Sequence, residues 1–194
     1  MNTAQLLMLN VAHWIAGALL IFAGVVAIRN AGRPVAERRW SRAPAKAMLG
    51  LGVGLVVLEI VDPLIHRKLG GETDPMVLYH SIVGVLAAIA GAAELYRLRR
   101  EARGIALVVF PLAWVGIGVV FLIHEQASDL LLYRHWAFAI SAALLGVTKV
   151  IADVGRMSQR VWAVFAILAG LNFLFYWESA SHSAPGAGSP HSAH

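Results

Sequence analysis

Six apolar stretches follow one another along this chain, at roughly 5–28, 47–66, 76–96, 104–124, 133–152 and 161–178. Each is about as long as a helix that crosses the hydrocarbon core of a bilayer. Backbone N–H and C=O groups in lipid have no water to bond, so each stretch must satisfy its own hydrogen bonds as an α-helix. The expectation is an all-α integral membrane protein, a six-transmembrane-helix bundle. Composition agrees: 59% of the 194 residues are hydrophobic and 14% are charged, against about 25% charged in a soluble domain. The basic pI, near 10.1, would point to nucleic acid if the charges formed a patch. They lie instead in short connectors between apolar stretches, so the expected partner is the lipid bilayer and no nucleic acid.

The connectors also predict an orientation. Arg29, Arg33, Arg38, Arg39, Arg42 and Lys46 lie between the first two stretches. Arg97, Arg99, Arg100 and Arg103 lie between the third and fourth, and Lys149, Arg156 and Arg160 around the turn from the fifth to the sixth. Only Arg67, Lys68 and Arg134 fall on the other side. By the positive-inside rule the thirteen face the cytoplasm. Both termini are then on the outer, periplasmic side. The first stretch is too long for a signal peptide, and its positive charges follow it rather than precede it, so it is expected to stay as a helix. Arginine exceeds lysine, and alanine and glycine are frequent, which suits a bacterial gene of high GC content and the inner (cytoplasmic) membrane. Residues 1–178 read as one six-helix membrane domain. Residues 179–194, made of Ser, Ala, Gly, Pro and His, read as a disordered periplasmic tail. Cysteine is absent, which removes disulfides, thiolate ligands and a cysteine nucleophile from consideration.

On this topology all eight histidines fall on the outer side: His13 in the first helix, His66 ending the second, His80 opening the third, His124 ending the fourth, His135 opening the fifth, and His182, His191 and His194 in the tail. The second helix adds carboxylates. Glu59, Asp62 and His66 are spaced i, i+3, i+7 and share one face within about 60°. Glu59 is expected about 10 Å below the outer end of its helix, level with His13, and Asn10 and Asn172 lie near the same depth. Ionisable groups inside a bilayer are costly and mark function by default, and imidazole with carboxylate suits Cu(II), Zn(II) or Fe(II). The candidate metal site is therefore His13, Glu59, Asp62 and His66, closed by His80, His124, Glu125 or His135. The bland readings are headgroup contacts for the interfacial histidines and a membrane-interface belt for Trp14, Tyr79, Tyr133, Trp136, Tyr176 and Trp177. Gly50, Gly52 and Gly54 read as helix-packing contacts.

Three functions follow as expectations. The first is a transition-metal (copper or zinc) protein for metal uptake, tolerance or delivery. Its partners would be the metal ion and either a periplasmic metal-binding protein or a second copy of the chain. Cu(I) favours Met or Cys, so Cu(II) or zinc fits these ligands better. The segments Phe121-Leu122-Ile123-His124-Glu125-Gln126 and Tyr133-Arg134-His135-Trp136 resemble the histidine-bearing helix pairs of copper-resistance inner-membrane proteins of the D type, a resemblance that implies copper uptake or tolerance. The second is a membrane cytochrome with haem b held by two histidines. Val11-Ala12-His13-Trp14 is similar to the haem-ligand helices of small membrane cytochromes. His13 with His80 or His135 would be the axial pair, and Gly17 and Gly84 would leave room for a porphyrin face. The third is a zinc-dependent membrane hydrolase, with Glu59 or Asp62 as base and Ser81 polarising a carbonyl. It lacks a HExxH motif: Ser128 stands where His124-Glu125 would need its second histidine. Whether the chain is an enzyme stays open.

Overall fold

The computed structural model describes residues 3–33, 40–68, 76–100, 104–123 and 129–177. Six helices account for nearly all of them: α1 (Thr3–Asn30), α2 (Ala43–Lys68), α3 (Met76–Arg100), α4 (Ile105–Ile123), α5 (Asp129–Asp153) and α6 (Gln159–Leu174). There is no strand among the described residues. Four helices are long and apolar enough to cross a membrane, containing the segments Asn10–Asn30, Ala43–Val61, Leu78–Arg99 and Leu132–Asp153, while α4 and α6 are shorter apolar helices. Large side chains such as Leu112, Val119, Ile140, Val147 and Leu168 point out of the bundle and are exposed. In water such a surface would drive association; facing acyl chains it is the stable arrangement.

Each helix packs on its neighbour in sequence, and α1 closes on α6, so the six form a ring whose slightest seam is between α1 and α2. Small residues make the tight pairings. A Cβ added to Gly17 would lie 2.6 Å from the Gly170 carbonyl oxygen, and one on Gly24 would lie 2.6 Å from that of Ala163. Gly52 meets the backbone of Ala88 at 2.4 Å and Gly146 meets the Pro111 carbonyl oxygen at 2.6 Å in the same sense. These contacts set α1 antiparallel to α6, α2 to α3 and α4 to α5, at backbone distances that leave no room for a Cβ at these glycines. Of the three glycines that open α2, only Gly52 has such a contact; Gly50 and Gly54 face open space.

The interior is filled by few large side chains, with Phe138 and Leu145 fully buried and Phe110, Trp114, Ile117, Phe121, Trp162 and Phe173 around them. Two ends can be distinguished. The terminal end holds residue 3 and residue 177; the arginine end holds the turns after Asn30 and Asp153. Gly32 and Gly155, with φ of 81° and 77°, take the left-handed conformation just past the ends of α1 and α5, where a Cβ would strain the backbone. Ser158 caps α6, its hydroxyl oxygen accepting from the Arg160 N–H at 3.2 Å.

Candidate functional site

Near the terminal end, α1, α4, α5 and α6 bring six rings together. His13, on α1, is buried and stacks on Tyr176 at 4.2 Å between centroids, with Phe138 at 5.6 Å and Phe173 at 5.9 Å. His135, on α5, is equally buried and meets Phe121, Phe138 and Tyr176 edge-on at 5.7, 5.9 and 6.3 Å. Both imidazoles are 7% exposed, so each has given up nearly all contact with solvent or headgroups. His13 and His135 thus share the rings of Phe138 and Tyr176, and the Phe138–Phe173 stack at 4.3 Å completes the cage. The helical spacing explains the placement. His135 and Phe138 are three apart on α5, one turn along the same face. Phe173 lies in the last turn of α6, and Tyr176 follows just beyond the helix, where the Trp14 indole N–H donates to the Tyr176 carbonyl at 2.9 Å and pins the chain against α1.

Tyr176 therefore corrects a sequence expectation. The sequence places it in the interfacial belt, yet the residue is 3% exposed, with its ring stacked on His13 and edge-on to His135. The missed signal was its spacing of three from Phe173. Tyr133, Trp136 and Trp177 do point outward, and Trp177 stacks on Trp14 at 5.6 Å. The Arg134 guanidinium donates to the Trp177 carbonyl and lies 5.8 Å over the Tyr176 ring, closing the cage from above.

The other sequence candidates are elsewhere. Glu59, on α2, faces α3, where its Oε1 is 3.7 Å from Nδ1 of His80. This pair is partly open, with side chains 19% and 24% exposed. The expected shared level of His13 and Glu59 is thus split: His13 turns toward α5 and α6, Glu59 toward α3, across the ring's slightest seam. Asp62 and His66 continue α2, but their side chains lie outside the described residues, as do His124, Glu125 and the tail histidines. No group of three or more His, Asp or Glu able to hold a metal ion exists among the described residues. The glycines expected to seat a porphyrin are otherwise engaged, Gly17 by the α6 backbone and Gly84 by Gly52, Leu55 and Val56 of α2. Asn172, expected near the same depth, donates to the Ser141 hydroxyl on α5 at 3.4 Å.

A second polar cluster, at the arginine end, was legible only in part. Lys149 is 3% exposed. Its ammonium pairs with Asp153 one turn on and with Glu94 Oε1 at 3.5 Å. Arg97 donates to both Glu94 oxygens, at 2.7 and 2.6 Å, and lies 3.8 Å from Asp153. Gln159 donates to the other Asp153 oxygen at 2.9 Å. The Lys149 ammonium also sits over the Phe110 and Trp162 rings, at 5.6 and 5.4 Å. Two cations and two carboxylates from α3 and α5 thus cancel, with α6 as a third support. In sequence, Lys149 reads only as one of the basic residues around the turn from the fifth stretch to the sixth; the i, i+3 pair of Glu94 and Arg97 is the signal that it has partners.

No family model, curated protein or solved structure matches this chain.

Proposed function

We propose that this chain is a six-span inner-membrane protein with both termini outside, which holds a transition-metal centre between His13 and His135 and serves copper or zinc uptake, tolerance or delivery. The observation that carries the reading is the pair itself: two imidazoles from different helices, each buried, sharing the rings of Phe138 and Tyr176. A histidine inside a membrane bundle marks a functional site by default. Two nitrogen donors beside a buried phenol suit Cu(II) or Zn(II). The resemblance around His124 and His135 supports copper, and a small ion leaves its remaining positions for water, cargo exchange or further side chains.

One observation favours haem b as a second reading. The walls around the two imidazoles are aromatic, and no carboxylate joins them in a metal-holding group among the described residues. His13 and His135 would be the axial ligands and the protein would set the potential through burial. Absorption spectroscopy and elemental analysis of protein purified from membranes separate the two. The expected result is about one metal per chain, reduced by His13→Ala or His135→Ala and abolished by the double variant; a Soret band with iron would establish haem instead. Wild-type protein with no bound metal or haem after reconstitution, or a double variant that loads as well as wild type, would overturn the site.

A further inference from the structure

The residue that covers both buried imidazoles is not on a helix. α6 ends at Leu174, and Tyr176 lies in the short strap of residues 175–177 that follows. The last two turns of backbone bonding are the Phe175 N–H to the Leu171 carbonyl at 3.0 Å and the Tyr176 N–H to the Phe173 carbonyl at 3.2 Å. Within the strap, Tyr176 is buried while Phe175 and Trp177 on either side are exposed. One ring therefore turns inward, stacked on His13 and edge-on to His135.

Two side chains hold the strap down, and each is the chain neighbour of one histidine. Trp14, next to His13, donates its indole N–H to the Tyr176 carbonyl at 2.9 Å and stacks on Trp177 at 5.6 Å. Arg134, next to His135, donates to the Trp177 carbonyl and lies 5.8 Å over the Tyr176 ring. Lifting the strap breaks these contacts but no turn of a long helix. Parting the helices is harder. Gly17, one turn from His13, has the Gly170 carbonyl where a Cβ would lie, and Gly118 meets the carbonyl of Ala139, one turn from His135, in the same way. Local opening follows the segment with the fewest packed contacts, which here is the strap.

We propose that residues 175–177 form a gate over the His13–His135 cage, latched by Trp14 and Arg134, with the identity of what passes it resting on the metal-centre reading above. Its opening sets how fast an ion reaches or leaves the two imidazoles.

The gate is tested in metal-free, full-length protein in detergent micelles by the rate at which diethylpyrocarbonate acylates each histidine, read by peptide mass spectrometry. His80, in a partly open pair, should react faster than His13 and His135. Trp14→Phe keeps a ring against Trp177 and removes the donor. Arg134→Met removes the other latch, whose bond lies at the surface, and keeps the test decisive if Trp14→Phe fails to fold. Each should raise the rates at His13 and His135 roughly three- to tenfold, the loss of one hydrogen bond, and leave His80 unchanged. Trp136→Phe, at the outward-pointing neighbour of His135, should change none of them. In Zn(II)-loaded protein the same latch variants should speed transfer of the ion to a pyridylazo-resorcinol chelator by a similar factor, with the amount bound per chain unchanged. Unchanged acylation of His13 and His135 in the latch variants that fold, or an equal rise at His80, would overturn the gate. Faster acylation in protein that binds no Zn(II) would uphold the gate and overturn the metal as what passes it.

Discussion

At the scale of single residues, the same bundle treats its ionisable groups in two ways. Lys149 is buried and balanced by two carboxylates; Glu59 and His80 are paired at 3.7 Å but partly open. Removing one member of a buried pair leaves an uncompensated charge, which costs about 3–5 kcal/mol. Lys149→Met is therefore expected to lower the thermal midpoint of the purified protein sharply, and adding Asp153→Leu should recover part of the loss. A midpoint unchanged by Lys149→Met would mean that the network is hydrated. The Glu59–His80 pair is less buried, so Glu59→Gln should lower the same midpoint by less than Lys149→Met does. If Glu59→Gln nevertheless strips metal from the protein, the centre extends to α2 and His80 belongs in it.

At the scale of elements, the helices are held by backbone proximity more than by large side chains. Gly17 and Gly24 face α6 with no room for a Cβ. Leucine at either position must push the helices apart, a disruption of about 1–3 kcal/mol or more. Gly50 and Gly54 have open space instead. Alanine at either should stabilise α2 by about 0.5–1 kcal/mol by restricting the unfolded chain. Thermal unfolding in a common detergent compares the four variants directly, and equal effects at Gly17 and Gly50 would contradict the packing. The α1·α6 contact also fixes the cage, because His13 and Tyr176 come from its two sides. Gly17→Leu should thus impair metal loading as well as stability, whereas Gly50→Ala should not.

At the scale of the whole molecule, the proposed orientation places the His13–His135 cage in the outer half and the charge cluster in the inner half. The chain contains no cysteine, so single cysteines can report sidedness without background. Ser183→Cys in the tail should react with a membrane-impermeant maleimide in intact spheroplasts. Ser41→Cys, in the turn before α2, should react only after permeabilisation. The reverse pattern would invert the topology and put the cage on the cytoplasmic side.

The sequence by itself determined the helices. Apolar length and short basic connectors constrain these locally: the six stretches anticipated α1 to α6, with ends shifted by a few residues where arginine-bearing turns continue the helix, as at Arg97 to Arg100 of α3. It also picked out His13 and His135, because a histidine in an apolar run is conspicuous. What one strand of text could not decide was rotation about each helix axis and the order of helices around the ring. Those depend on which glycine meets which backbone across the bundle. Because α1 closes on α6, His13 faces Tyr176 and Phe138 and lies across the slight α1·α2 seam from the Glu59 pairing. Because α3, α5 and α6 converge at the other end, Lys149 meets Glu94 and Trp162. Depth along a helix is read from residue number at a fixed rise per residue, whereas facing is a property of the packed assembly. For that reason the sequence singles out His13 and His135, and only the tertiary structure chose their neighbours.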